Sequence, residues 1–365
     1  MLAASAVSQR PPQAAVCVRR PKFDAGWSSP VARQAHNLKV VGSNPTPAPN
    51  HGPAENSGAV FVCSALSSMF DGFEAASVDV GETTIFVRRK GRGAPVLLLH
   101  GFPETHLMWR DVALALAERF TIVCADLRGY GASGKPPSDG DHAPYAKRAV
   151  ARDMVRLMEE LEFPRFAVAG HDRGGRVAYR MALDHPDRVT RLAVLDMVPT
   201  LDVLERVDAS LMLGYWPWSL LAQPAPFPER LMQAAPEAFV DAALEQWGST
   251  QDKYPREVRD AYVAALSDPE SIRAICEEYR AATTLDLEHD KADRACGRRI
   301  ACLVLVLWAR GGAVDTLYER VGGPLAIWRA WAERDVKGRA IDGGHFFAEQ
   351  NAGETIAELE AFFAA

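Results

Sequence analysis

The chain has 365 residues, 48% of them hydrophobic, and a formal net charge of −6 at pH 7. This length suits one large domain, or one domain with an insertion, and the composition allows a sizeable core. The sequence lacks a basic stripe for nucleic acid and an apolar run of about 18 residues for a membrane span, so neither partner is expected.

The first 68 residues differ from the rest of the chain. They are rich in Pro, Ala, Ser and Asn and have no helical or strand period. We predict that residues 1–68 are disordered, or are upstream sequence ahead of a true start at Met69, because regular patterns begin directly after it. Their basic, acid-poor composition leaves an organelle transit peptide as the alternative.

Six cysteines are spread along the chain without a Cys-x-x-Cys pair. Free thiols in a reducing compartment fit this usage better than a disulfide framework, so we expect a cytoplasmic protein. No His or Cys spacing supports a metal site, and neither a metal nor another cofactor is expected.

Short apolar runs alternate with amphipathic stretches from residue 76 onwards. The predicted strands cover residues 77–80, 83–88, 95–100, 121–126, 166–168, 192–196 and 302–308, and the predicted helices cover 107–120, 145–163, 177–183 and 352–363. Strands that are apolar throughout are typical of a sheet buried on both faces. Their alternation with helices predicts an α/β fold with a mostly parallel, eight-stranded sheet.

One stretch interrupts this alternation. Residues 200–296 are rich in Trp, Pro and Met, have a mostly helical pattern and are too long for a loop. We interpret them as a helical cap, inserted between strands 6 and 7, that covers the carboxyl ends of the strands. The core domain would then consist of residues 69–199 and 297–365.

The tripeptide His171-Asp172-Arg173 is the most informative motif. It lies between a predicted strand and a predicted helix, in the run Gly170-His-Asp-Arg-Gly174. A small-x-nucleophile-x-small turn in that place is the nucleophile elbow of the α/β-hydrolase fold. Because the nucleophile is Asp172, its carboxylate would attack carbon and form an ester.

His345 and Asp196 complete the expected catalytic group. His345, in a glycine-flanked loop, could activate the water that cleaves the ester, while a carboxylate holds its tautomer. Asp196 is the preferred carboxylate because it stands directly at the end of a buried strand, and Asp315 is the competing one. The backbone N–H groups of Phe102 and Arg173 are the expected oxyanion donors.

Arg173 and Arg176 follow the nucleophile on one face of the expected helix. One cation is enough to neutralise Asp172, so two arginines suggest a second anion, the carboxylate of a small organic substrate. The alternative is that both arginines belong to a solvated helix face.

The chain resembles the fluoroacetate and haloacetate dehalogenases from about Met69 to its C-terminus. The motifs that carry the resemblance are Gly170-His-Asp-Arg-Gly-Gly-Arg176, Asp126-Leu-Arg-Gly-Tyr-Gly131, Leu195-Asp196, Gln223-Pro-Ala-Pro226 and Gly344-His345-Phe346. The resemblance implies a homodimer and a halide pocket that includes Trp218. It also implies a nucleophile, a base with its partner and two carboxylate ligands, which would be Asp172, His345 with Asp196, and Arg173 with Arg176.

The halide pocket is where this sequence departs from the family pattern. The family has a His-Trp pair where this chain has Pro217-Trp218, and proline has no donor. A cap tyrosine that helps to hold fluoride in the family falls at Thr284. Because fluoride is a poor leaving group that needs several hydrogen bonds, we predict hydrolysis of short 2-haloacids with chloro- or bromoacetate preferred over fluoroacetate.

Two other functions stay open. An epoxide hydrolase shares the Asp-His-Asp chemistry, but it needs a cap acid, usually paired tyrosines, and it has no use for the two arginines. The cap contains Tyr215, Tyr254, Tyr262 and Tyr279, none of them in an evident motif. A non-catalytic binding protein of this fold usually lacks one member of the catalytic group, and none is missing here.

Overall fold

The computed structural model describes residues 68–248 and 254–365, so the prediction for the N-terminal extension lies almost entirely outside the described residues. Eight strands of the described chain form one sheet in the order β1-β2-β4-β3-β5-β6-β7-β8. They are β1 (Glu74–Asp79), β2 (Thr84–Lys90), β3 (Pro95–Leu99), β4 (Thr121–Ala125), β5 (Phe166–His171), β6 (Val189–Leu195), β7 (Leu303–Ala309) and β8 (Val336–Ile341). β2 pairs antiparallel with β1 and β4, and the other neighbours are parallel.

Helices flank the sheet and fill the segment between β6 and β7. They are α1 (Arg110–Leu116), α2 (Lys147–Glu160), α3 (Asp172–Asp184), α4 (Thr200–Leu204), α5 (Ala209–Gly214), α6 (Trp216–Leu220), α7 (Phe227–Ala234), α8 (Pro236–Gln246), α9 (Arg256–Ser267), α10 (Pro269–Ala281), α11 (Leu287–Ala295), α12 (Ala313–Leu317), α13 (Gly323–Trp331), α14 (Phe347–Gln350) and α15 (Ala352–Ala364). A π-helical segment, Ala282–Asp286, joins α10 to α11. In the described ranges, no helix combines the length and the apolar character that a membrane span requires.

The central strands are apolar because helices cover both faces of the sheet. β4 and β5 are buried along their whole length, and β3 is buried from Val96 onwards. β3 lies between β4 and β5, with Val96 opposite Ile122 on one side and Ala167 on the other. The carboxyl ends of β3 and β5 therefore lie side by side, and the residues that follow them meet at one edge of the sheet.

The sequence pattern missed one strand and the three helices α12 to α14, and it shortened one helix. β8 was not predicted, because its residues alternate between buried and exposed and include Lys337, Gly338 and Arg339. The helix after the elbow begins at Asp172 itself and not at residue 177, because two glycines weaken the helical pattern of its first turn.

Gly174 lets α3 start directly against the end of β3. A Cβ atom at this position would lie 2.5 Å from the carbonyl oxygens of Leu99 and His100. Real Cβ atoms do not approach backbone so closely, so any side chain here would push the helix away from the strand. The close contact between α3 and the end of β3 thus lies at Gly174, two residues after Asp172.

We predict that Gly174→Ala destabilises the fold by about 2 kcal/mol or more, because the added methyl group overpacks a backbone contact that cannot yield. Chemical denaturation measures the change in the free energy of unfolding. Gly140→Ala is the matched control, since a Cβ there would meet no heavy atom within 4 Å. Equal stability of the two variants would contradict the close contact.

Candidate active site

Asp172 stands at the sharp turn between β5 and α3. Its backbone has φ +42°, a left-handed conformation that residues other than glycine seldom adopt, and its side chain is buried. Oδ1 accepts a hydrogen bond from the backbone N–H of Phe102 at 3.2 Å. The turn therefore holds the carboxylate at the sheet edge, against one of the two predicted oxyanion donors.

The surroundings of Asp172 keep it ionised. Burial by itself would raise the pKa of Asp172, but the charges of His345, Arg173 and Arg176 outweigh it and hold the pKa below its ordinary value. An ionised carboxylate near neutral pH can act as a nucleophile without the help of a base.

His345 is paired with Asp196. Its Nδ1 lies 2.5 Å from Asp196 Oδ2, and Asp196 Oδ1 accepts a hydrogen bond from the backbone N–H of Ala309 at 2.9 Å. Because Nδ1 is engaged by the carboxylate, Nε2 is the ring nitrogen left to act on water. The cap also contacts this histidine, since the backbone N–H of His345 donates to the carbonyl oxygen of Trp247 at 2.8 Å.

Asp315, the competing acid, is used elsewhere. Its Oδ1 accepts a hydrogen bond from Trp308 Nε1 at 2.8 Å, and its Oδ2 accepts one from the backbone N–H of Gly311 at 2.9 Å. Both oxygens stabilise the loop after β7. The geometry thus joins Asp196, and not Asp315, to His345.

Arg176 is a buried cation without an anionic partner. Its residue surface is 1% exposed, and it forms no ion pair with any carboxylate in the described part of the chain. Nη1 donates to the carbonyl oxygen of Val198 at 2.9 Å, and Nε has no hydrogen-bond partner. The guanidinium carbon lies 4.6 Å from the centre of the Trp218 ring. A buried charge that lacks a counter-ion favours binding of an anion.

Arg173 is fully buried as well, so the two arginines do not form a solvated helix face. Its Nε donates to Glu278 Oε1 at 3.1 Å, while its Nη1 has no hydrogen-bond partner. The guanidinium carbon lies 4.1 Å from the ring centre of Tyr279 and 5.1 Å from that of Trp218. Two aromatic rings of the cap therefore cover the cations.

A cavity of about 490 Å³ lies at this edge of the sheet, and neither Arg173 nor Arg176 is among its lining residues. The three predicted catalytic side chains and the two rings that cover the arginines do line it: Asp172, Asp196, His345, Trp218 and Tyr279. Pro217 and Tyr215 also line it. The cavity is large enough for a small organic acid, and residues from the segment between β6 and β7 form part of its wall.

The expectation for Thr284 is wrong. Thr284 is exposed in the π-helical segment, where its hydroxyl donates to the carbonyl oxygen of Arg280 at 2.7 Å. Tyr279, one and a half turns earlier, lines the cavity instead, with its ring at 6.1 Å from that of Trp218. The chain therefore has a tyrosine, Tyr279, at the cavity wall beside Trp218.

His171 is a site residue that the sequence reasoning missed. Its Nδ1 lies 2.9 Å from Glu104 Oε2, and its Nε2 lies 2.9 Å from the carbonyl oxygen of His345. Because both neighbours are acceptors, the ring carries two protons. Burial lowers the pKa of His171, but the charges of Glu104, Asp172 and Asp196 outweigh it and raise the pKa to about 9. In the sequence, only its position next to Asp172, the predicted nucleophile, indicated a role in the site.

A second carboxyl group stands behind Glu104. Glu349, which follows the His345 loop, accepts hydrogen bonds from Arg110 and, at 3.1 Å, from the hydroxyl of Tyr262. Burial, together with the charge of Glu104, raises the pKa of Glu349 to about 8. Glu349 therefore keeps a proton near neutral pH.

The chain belongs to the α/β-hydrolase family. The family model described as the alpha/beta hydrolase fold matches residues 94–350. The sheet order and the elbow agree with that fold, so the predicted fold class is confirmed.

Three known proteins are similar to this chain over most of its length. The chain is 44% identical to a fluoroacetate dehalogenase from Burkholderia sp. over 297 residues, which are 80% of this chain and 95% of the relative. It is 32% identical to a soluble epoxide hydrolase from Corynebacterium sp. (strain C12) over 294 residues, 75% of this chain and 91% of the relative. A solved structure of a putative α/β-hydrolase from Nostoc sp. PCC 7120 matches with a TM-score of 0.77 and 43% identity, covering 80% of this chain and 99% of that one. These matches confirm the resemblance to the dehalogenases.

We predict that Glu349→Gln stabilises the protein at pH 8 and has no effect near pH 4.5. An acid whose pKa is raised from 4.5 to about 8 on folding keeps a proton that the unfolded chain releases. Its contribution to stability is therefore lost as the pH rises between those two values. Glutamine retains the donor at every pH, so the variant gains about 1–3 kcal/mol at pH 8.

Chemical denaturation at pH 5, 6, 7 and 8 measures this difference. Glu118→Gln, at an exposed position, is the control and should show a constant difference from wild type across the series. A Glu349→Gln protein that is less stable than wild type at pH 8 would refute the raised pKa of Glu349.

Proposed function

We propose that this protein hydrolyses short 2-haloacids to 2-hydroxyacids and halide, through an ester on Asp172. The observation that carries the proposal is Arg176, a buried cation that has no carboxylate partner and contributes to holding Asp172 ionised. Such a cation next to an anionic nucleophile fits a substrate that is itself an anion.

The first step forms the ester. A carboxylate oxygen of Asp172 attacks C2 of the substrate, and the halide leaves on the opposite side with the bonding electron pair, which inverts C2. Two unit charges at about 4 Å repel each other by roughly 4 kcal/mol at an effective dielectric of 20, so two carboxylates would not approach unaided. Arg173 and Arg176 remove this repulsion when they bind the substrate carboxylate and align C2 with Asp172.

The second step returns the enzyme to its starting state. His345 Nε2 takes a proton from a water molecule, whose oxygen attacks Cγ of the Asp172 ester. The negative charge on the carbonyl oxygen is stabilised by the N–H groups of Phe102 and Arg173. The C2–oxygen group then leaves and takes the proton from His345, while Asp196 stabilises the imidazolium in between. Asp172 is left as a carboxylic acid and releases the second proton of the water to solvent, which restores the carboxylate.

The donors at the cavity wall support a preference among halides. Trp218 offers an indole N–H and Tyr279 a hydroxyl, whereas Pro217 offers no donor. Chloride and bromide need less hydrogen bonding than fluoride to leave. We therefore propose that chloro- and bromoacetate are better substrates than fluoroacetate.

Hydrolysis of epoxides is the second candidate. The Corynebacterium relative is a soluble epoxide hydrolase, and two cap tyrosines, Tyr215 and Tyr279, line the same cavity as Asp172. Paired hydroxyl groups can protonate an opening epoxide oxygen. This reaction leaves the buried charge of Arg176 without a role, so it ranks second.

We predict halide release from chloroacetate and bromoacetate by the wild-type protein, and loss of at least about 10³-fold in kcat/KM for Asp172→Asn, which removes the nucleophile. Single turnover in ¹⁸O-labelled water should place the label first in Asp172, detected by mass spectrometry of the peptide. Arg176→Met should raise KM for chloroacetate about tenfold or more, because the substrate carboxylate loses a charged partner.

Turnover of styrene oxide, which is neutral, without halide release from any haloacetate would overturn this function in favour of the epoxide hydrolase. Binding of acetate with no turnover of either class would favour a non-catalytic protein. Glycidate carries both a carboxylate and an epoxide. Its hydrolysis would show that arginines that bind the carboxylate and tyrosines that protonate the epoxide oxygen can act on one substrate.

We predict further that Pro217→His raises the rate of fluoride release from fluoroacetate relative to chloride release from chloroacetate, because it adds an N–H donor at the cavity wall. The ratio of the two kcat values, measured with ion-selective electrodes, should rise about tenfold. Pro217→Leu, which removes the proline without adding a donor, is the matched control. A wild-type protein that defluorinates as fast as it dechlorinates would contradict the predicted preference.

A further inference from the structure

The proposed function requires that Arg173 keeps a charge to offer a substrate, although it already binds Glu278. Glu278 is buried and ionised: burial raises its pKa, but the charges of Arg173 and Lys147 outweigh it and lower the pKa to about 2. If Arg173 and Glu278 were alone together, their charges would cancel. The anion-binding strength of the site would then rest on Arg176, which also faces Asp172.

Lys147 adds a second cation next to Glu278. Its side chain, on the first residue of α2, is 1% exposed, which is rare for lysine. Its Nζ lies 2.5 Å from Glu278 Oε1, the same oxygen that accepts from Arg173 Nε. The other oxygen, Oε2, accepts from the hydroxyl of Tyr130 at 2.6 Å. Glu278 thus lies between two cations, Lys147 and Arg173, and of the two it is Arg173 that contacts a ring of the cavity wall, that of Tyr279.

The fourth ionisable group of this cluster is Asp286. Its Oδ1 accepts from the backbone N–H of Lys147 at 2.8 Å, while Oδ2 lies 3.9 Å from Nζ and has no hydrogen-bond partner. Burial raises the pKa of Asp286 to about 6 in spite of the charge of Lys147. Nζ is therefore engaged mainly with Glu278.

We propose that Lys147 determines the specificity of the site for anionic substrates by neutralising Glu278, so that Arg173 retains its positive charge for the substrate carboxylate. This inference rests on the proposed function for the identity of the substrate. Lys147 does not touch the cavity, so it is a positioning residue that acts through the charge on Glu278. The unpartnered Nη1 of Arg173 is the donor that this arrangement keeps available.

The proposal predicts changes of opposite sign at two touching residues. Lys147→Met removes the compensating cation and should weaken acetate binding and raise KM for chloroacetate about tenfold, with kcat changed less than about threefold. Glu278→Gln removes the competing anion and keeps an acceptor for Arg173, and it should strengthen acetate binding about threefold. The double variant, which restores the net charge of the pair, should return to within about threefold of wild type.

The experiment measures acetate dissociation constants by calorimetry, and KM and kcat from chloride release, for these three variants and for Lys147→Arg. Lys147→Arg keeps the charge and should retain most of the affinity. Arg128→Met is the matched control, because it removes another buried cation that is paired within its own cluster, with Asp153. It should lower the melting temperature without changing the affinity for acetate.

A purely structural role gives a different result. Lys147→Met and Glu278→Gln would then both weaken acetate binding, the double variant would be the weakest, and the proposal would be overturned. Unchanged acetate affinity in folded Lys147→Met protein would overturn it as well. If Lys147→Met does not fold, the sign of the Glu278→Gln effect decides.

The dehalogenase reaction and the role of Lys147 can be disproved by different results. A wild-type protein that binds acetate but releases no halide would disprove the dehalogenase reaction, while the acetate series would still test Lys147. A wild-type protein that does not bind acetate would count against both.

Discussion

The structure depends on one electrostatic constraint, the burial of two guanidinium groups next to a carboxylate. Removing a charge from water costs several kcal/mol, and a protein tolerates it where a partner of opposite sign is close. Asp172 is such a partner, yet it faces two arginines and a protonated histidine, His171. Arg173 also pairs with Glu278, whereas Arg176 forms no ion pair within the described residues and donates to the carbonyl oxygen of Val198. In the proposed function, the substrate carboxylate supplies the further anion.

The cap takes part in this charge balance and does not merely cover the cavity. Glu278 and Tyr279 are neighbours on α10, so one helix supplies both the carboxylate that fixes Arg173 and the ring that lies over it. Trp218, on α6, covers both guanidinium groups. The carbonyl oxygen of Trp247, just after α8, accepts from the backbone of His345. A movement of this segment would therefore disturb Arg173, Arg176 and His345 together.

How much of the site the sequence predicts depends on whether its residues are set by local structure. Asp172 and Asp196 could be predicted because each follows a buried strand, and the strand ends of a parallel sheet meet at one edge. The pair Glu104 and Glu349 could not, because the two residues are far apart in sequence and neither stands in a motif. Thr284, which was expected to contribute to a halide pocket, lies in the π-helical segment just beyond the end of α10, and Tyr279 lines the cavity instead.

The position of β8 in the fold could not be predicted from the sequence pattern either. An edge strand that is half exposed has no apolar run, so Lys337 and Arg339 conceal it, whereas β3 to β5 are evident from their burial on both faces. The existence of an eighth strand followed from the fold class, but its position did not. Sequence patterns therefore identify the centre of this molecule more reliably than its edge.

Two of the four described non-glycine residues with left-handed backbones lie where the chemistry is proposed. Asp172 and Asp196 both have left-handed backbones, at φ +42° and +49°, at the ends of the neighbouring strands β5 and β6. Such conformations persist only where the surrounding contacts impose them, and here the close approach of Gly174 to β3 and the hydrogen bonds to Phe102 and Ala309 do so. One carboxylate is thereby held against the N–H group of Phe102 and the other against His345. In the proposed reaction, neither carboxylate has to reorient between formation and hydrolysis of the ester.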